Sequence, residues 1–233
     1  MTNGGDEELI SALVEQLRAM REAEREIFGS IEPEVRDRPM RPNDWSPKDH
    51  QAHLTAWKEI QAERLRALAT GEAAPFTGRE TDEINAELQA TRAGWAWDAI
   101  ADEADKVTDE LVAEIEGAGP STVKGTEGLV GQIFGNGAAH ALTHFGWLVQ
   151  GDVGVNEQRV AAFVDEHERH LASPGLSDSD RGVGLYNLAC AHAVAGRLDR
   201  ARPLLRTAFE LRPDLAEFAK EDPDLVELRE ELG

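Results

Sequence analysis

The sequence predicts an all-α fold in two parts, a bundle of long helices over residues 1–151 and a run of shorter helices over 152–233. Three observations carry that prediction. Apolar residues recur every three or four positions through the first part, with charged residues between them. Glycine, proline and a capping serine stand where helices should start and stop. No stretch shows the two-residue alternation of a half-buried strand.

The first helix is expected over about residues 6–28, where Leu9, Leu13, Leu17, Met20 and Ile27 form one stripe and Gly29 follows as a stop. Pro33, Pro39 and Pro42 exclude a regular helix next. Ser46, Pro47 and Asp49 then form a start signal: a good N-cap, a proline suited to the first helical position, and an acid where a capping box needs one. This second helix should run to about residue 70, with Gly71 ending it. A loop holding Pro75 and Gly78 leads to a short helix over about 81–91, and Gly94 interrupts before a third long helix over about 97–116. A loop over 117–125 precedes the fourth, about 126–150.

Forty-five acidic and 24 basic residues give a formal charge of -21, a field that repels nucleic acid and anionic membrane surfaces. Cys190 is the single cysteine, which excludes an internal disulfide and a cysteine-based metal cluster and fits a reducing compartment. The acidic N-terminus lacks the charge and apolar core of a signal peptide, so the expected location is cytoplasmic. Residues 128–149 approach membrane-spanning length, but Gln132, Asn136, His140, Thr143 and His144 make them a buried bundle helix.

After Gly151 come a helix over about 157–171, a Ser-Pro-Gly break at 173–175, and two helices meeting at Gly196. The run GVGLYNLACAHAVAGRLDRARPLLRTAFELRP resembles one tetratricopeptide repeat, with Ala189, Gly196, Ala201, Leu205, Ala208 and Pro213 at the repeat's spacing and His192 in place of its usual aromatic. One repeat cannot cover its own apolar faces, so it should pack on flanking helices or on the bundle, with EDPDLVELREEL as an acidic capping helix.

Histidines are the main candidate ligands. His140 and His144 are one helical turn apart and share a face with Leu129, Ile133 and Trp147, which aims both imidazoles into the bundle. Core histidines satisfied by hydrogen bonds are one reading; a metal pair is the other. A third imidazole could come from His53 or His50, both on the apolar arc of the second helix with Trp57 and Ile60. Three neutral imidazoles with an open position suit zinc, nickel or ferrous iron and would lower the pKa of bound water. His53 and His140 reach one level only if their helices are antiparallel, which needs a crossover through the segment after Gly71. His167 and His170, in the run DEHERH, read as a solvated face; Asp49 reads as a helix cap; Cys190 and His192 read as packed.

The segments DWSPKDHQAHLTAW, DEINAELQATRAG and GNGAAHALTHFGWLV resemble the DinB-like superfamily of four-helix proteins, and within it the ClbS/DfsB branch. That resemblance implies a metal triad of His53, His140 and His144, and leaves His50 outside it. Gly146 matches the family pattern, whereas Trp147 stands where many relatives have Gln. It also implies a metal-dependent hydrolase or low-molecular-weight-thiol transferase acting on a small electrophile, in detoxification or self-resistance, with the thiol as a second cofactor. Trp57, Asn85, Asn136 and Trp147 are the candidate cavity-lining residues. A non-catalytic small-molecule binder with structural histidines is the alternative. A homodimer and a protein partner on the C-terminal segment complete the expectations.

Overall fold

The computed structural model describes residues 4–40, 44–172 and 176–231, and the side chains of all these but 4–6. Pro42 and the expected break at 173–175 lie outside the described residues. The described chain is helical, its one β contact being an isolated bridge between Met40 and Trp45. No described helix is long and apolar enough to cross a membrane.

Helix α1 (Gly4–Gly29) buries the predicted stripe of Leu9, Leu13, Leu17, Met20 and Ile27. A single 3-10 turn, Pro33–Val35, leads toward α2 (Pro47–Thr70). Helix α2 opens with the capping box: the Ser46 hydroxyl accepts from the Asp49 amide, and the Asp49 carboxylate accepts from the Ser46 amide at 2.8 Å. Gly71 closes it in the left-handed conformation, φ 75°. Helix α3 (Thr81–Arg92) lies along α2, packing Ile84 and Leu88 on Ala56, Trp57 and Ile60.

Helix α4 (Trp97–Gly125) runs past the expected stop at 116. Gly119 (φ 71°, ψ 166°) breaks its dihedrals and Pro120 begins a fresh turn, so the expected loop is a kink followed by more helix. The last bundle helix is also not the uniform one expected. It comprises α5 (Leu129–Phe134), a π-helical turn (Gly135–Ala139) and α6 (His140–Gln150).

Side-chain pairs fix the helix directions. Arg21 meets Asp105 while Phe28 meets Trp97, so α1 and α4 are antiparallel. Glu59 lies within electrostatic reach of Lys106, and Arg66 bonds Glu110 and Glu114, so α2 and α4 are parallel. Parallel consecutive bundle helices need a long return connection, which residues 71–96 and α3 supply. His50 meets His144 and Gln61 meets Asn136, so α2 and the last bundle helix are antiparallel.

Beyond Gly151 follow α7 (Glu157–His170), α8 (Asp178–Val194), α9 (Leu198–Leu211) and the short α10 (Leu215–Ala219). The main core does not stop at the bundle: Val160, Phe163, Val164, Leu188 and Ala191 belong to it. Helix α8 has two apolar sides. Leu188 and Ala191 join the main core, whereas Tyr186, Ala189, Cys190 and Ala193 pack with Ala201, Leu205 and Ala208 in a second one. Gly146 permits the close approach of α6 and α8, since a methyl there would sit 3.1 Å from Val194 Cγ1. The acidic tail forms a helix of the 3-10 type, Pro223–Glu231. Leu225 and Leu228, both buried, are spaced by the three residues of a 3-10 turn.

Candidate metal centre

The amino-terminal part of α2 and the start of α6 bring four imidazoles together. His53 Nε2 lies 3.2 Å from His140 Nε2, and His144 Nε2 lies 3.1 Å from the same atom. Ligand atoms of His53, His140 and His144 all fall within 4.8 Å of one another. His50 stands behind them, its Nδ1 2.7 Å from His144 Nδ1. The structure therefore places the triad that the family resemblance selects around one point and His50 outside it.

The donor set suits a divalent cation. One in-plane nitrogen carries either a proton or a lone pair, so His140 Nε2 cannot serve both neighbours well by hydrogen bonding. Three lone pairs aimed at a shared ion resolve that conflict, and metal–nitrogen bonds of about 2.0–2.1 Å at tetrahedral angles separate the ligand nitrogens by about 3.3 Å. The rings are also in the right protonation state. Burial pushes His50 and His140 down to about 4 and His53 to about 2; the Lys58 ammonium adds to the effect at His140, and His140 and His50 disfavour a further proton on His53. His144 is held well below its ordinary value by burial and by its three neighbours. All four are neutral at pH 7, as ligation requires.

The π-helical turn sets the register of this face. It inserts immediately before His140, and its Gly137 faces Leu17 of α1, where a methyl group would collide with the leucine side chain. Such turns recur at functional sites because they re-aim the residues that follow. Below the histidines, Lys58 Nζ donates to both Glu24 carboxylate oxygens at 2.6 Å, and both residues are buried. Burial lowers the Lys58 ammonium and Glu24 holds it up, and its charge is felt at His140.

Tryptophans wall the site. Trp57 packs edge-on against His53 and His140 and donates its indole N–H to Asn85 Oδ1 at 3.1 Å. Trp147 contacts His50 and His144. Asn136 donates to Gln61 Oε1 at 3.1 Å. A cavity of about 360 Å³ is lined by His53, His140, Trp57, Asn85 and Asn136, and a second of about 400 Å³ by His53, His140, His144, Asn85 and Trp147.

Several members of this neighbourhood escaped sequence reasoning. Trp45 lies 4.7 Å from the His53 ring and stacks on His144, and its place just before the Ser46 cap was the available signal. Tyr186, Asp222 and Asp224 line the first cavity from the C-terminal segment, and no local pattern marks them. His167 corrects an expectation. It is fully buried and paired with Gln16 at 3.1 Å, because Val160, Phe163, Val164 and His167 form the inward stripe of α7. Asp49 is engaged by the Ser46 cap, His192 is buried and accepts from Arg197, and burial pushes the Cys190 thiol far up, so it stays protonated.

The model of the DinB superfamily matches residues 16–149, more than half of the chain. This chain belongs to the DinB superfamily. The matched span holds every imidazole of the cluster, and the superfamily's helical domain is a metal-binding one. No curated protein and no solved structure matches this DinB-superfamily chain.

Proposed function

We propose that this protein is a metal-dependent DinB-type enzyme, a hydrolase or low-molecular-weight-thiol transferase, acting on a small electrophilic molecule. The observation that supports it best is the convergence of three neutral imidazole nitrogens on one point beside two cavities. His53, His140 and His144 would hold zinc, nickel or ferrous iron, which when bound supplies a Lewis acid that activates water or a thiol.

The surrounding side chains would orient the substrate. Asn85 has its carbonyl oxygen committed to Trp57 and so presents its amide N–H groups, whereas Asn136 donates to Gln61 and so presents a carbonyl oxygen. Trp57 and Trp147 supply apolar walls that limit water. The segment after Gly151 reads as a tetratricopeptide-like unit, and the ClbS/DfsB branch, with a role in detoxification or self-resistance and a cytoplasmic location, is the finer placement we favour.

Elemental analysis of untagged protein purified without chelator tests the reading. About one equivalent of a transition metal is expected, lost in both His53→Ala and His140→Ala. A parent that stays metal-free when offered zinc, nickel and iron sinks it. The 2.7 Å contact between His50 and His144 favours a second reading, a non-catalytic small-molecule binder with an internally bonded histidine cluster, and the same metal-free result would select it.

A further inference from the structure

The cavity of about 360 Å³ has two unlike sides. One carries His53, His140 and Trp57; the other comes from the C-terminal segment and carries Tyr186, Phe218, Asp222 and Asp224. Charge on this lining has one sign: two carboxylates and no lysine or arginine.

The Asp222 carboxylate has neutral donors as its hydrogen-bond partners, while Arg229 donates to the Asp222 backbone carbonyl at 3.4 Å. The carboxylate accepts the Tyr186 hydroxyl at 2.6 Å and the Asp224 amide at 2.9 Å, and the Cys190 thiol stands 3.8 Å away. The Asp224 carboxylate, half-buried beside it, has no hydrogen bond or ion pair among the described residues. Burial and the charge of Asp222 push it up to about 6. Elsewhere in the chain, acids are commonly matched by arginine or lysine, as at Asp105, Glu110 and Glu231. Beside the carboxylates lie aromatic faces, Tyr186 and Phe218 with centroids 5.9 Å apart, and Phe218 is 63% exposed. Carboxylate charge next to aromatic faces is the chemistry that recognises an organic cation.

We propose that the C-terminal segment completes the metal-centre cavity and makes it select a small protonated alkylamine, with the ammonium on the Asp222 and Asp224 carboxylates and the carbon skeleton against Phe218 and Trp57. The substrate of the proposed reaction is then an amine-bearing electrophile, which rests on the metal-enzyme reading. The net charge of -21 would steer such a cation toward the protein. A second divalent ion is the competing occupant, since Cys190, Asp222 and Asp224 lie within 4.8 Å of one another. A single thiol and an aromatic rim of Tyr186 and Phe218 suit a compact hydrated ion poorly, since hard divalent ions favour an all-oxygen shell.

The test is calorimetric titration of the full chain at pH 7.5 with phenethylammonium, 2-phenylethanol and 3-phenylpropionate, probes of similar shape and different charge. The ammonium should bind at least roughly tenfold more tightly than either of the others. Asp224→Asn should weaken it by about tenfold, and Phe218→Ala, at an exposed position that spares the fold, by about threefold. Equal binding of the alcohol, or ammonium binding unchanged in both variants, would overturn the proposal. So would a second equivalent of cobalt taken up by the parent and lost in Asp224→Asn. His140→Ala separates the two readings: it should lose metal and still bind phenethylammonium. A parent without metal that keeps the charge preference removes the enzyme reading alone, and a metal-loaded parent without it removes this one alone.

Discussion

At the scale of single residues, the 2.7 Å contact between the Nδ1 atoms of His50 and His144 couples the tautomers of the two rings, since one must donate and the other accept. If His144 is to offer Nε2 to an ion, its proton must sit on Nδ1, and His50 Nδ1 is the acceptor that keeps it there. His50→Ala should therefore lower zinc affinity by about 10–100-fold with the three ligands intact, measured by competition with a chromophoric chelator. Unchanged affinity would make His50 a packing residue. His167 carries a separate prediction about acid. Burial, with a smaller contribution from His170, pushes it down to about 3, so the folded state keeps it neutral while the unfolded chain takes up a proton near 6.5. A base with a lowered folded pKa contributes stability that is present above 6.5 and lost as pH falls toward 3. At pH 5 the loss is about 2 kcal/mol. Urea unfolding of the parent and of His167→Gln at pH 7.5 and 5.0 should show the parent losing about that much more. Equal losses would mean that His167 opens to water.

At the scale of elements, the π-helical turn carries the argument. Gly137 and Leu17 share one space between the last bundle helix and α1. Gly137→Ala should destabilise the fold by about 1–3 kcal/mol through overpacking. It should also weaken metal binding, because the turn sets the aim of His140. Leu17→Ala in the same chain should recover part of both losses in a double-mutant cycle. If the two substitutions simply add, the turn is not wedged against α1. This element also marks where the sequence stopped being legible. His140 and His144 share a face through their spacing, and the capping box at Ser46 and Asp49 reads directly from residue types. GNGAA carries no pattern that distinguishes a π turn from an α turn, so the site's neighbours were legible and its backbone was not. His167 was missed for another reason: the charges of DEHERH mask an apolar stripe that ends on a histidine.

At the scale of the molecule, the question is whether residues 1–151 are a folding unit. Their sequence reads as one, because the long helices end there. The packing argues otherwise. Phe145, fully buried, meets Phe163 of α7 edge-on at 5.6 Å, and Val160, Val164, Leu188 and Ala191 fill the same core. Burying each of the larger side chains contributes about 1.5–3 kcal/mol, and a domain of this size has about 5–15 kcal/mol in total. Removing Val160, Phe163, Val164 and Leu188 together takes away an amount comparable to the whole. It also strips Tyr186 and the Asp222–Asp224 wall from the cavity beside His53 and His140. A fragment ending at Gly151 should therefore lose cooperative thermal unfolding and metal retention together, followed by circular dichroism and elemental analysis. A fragment that melts cooperatively and keeps its metal would show that the later helices are an appended unit, and that the cavity's acidic wall was added to a site already complete.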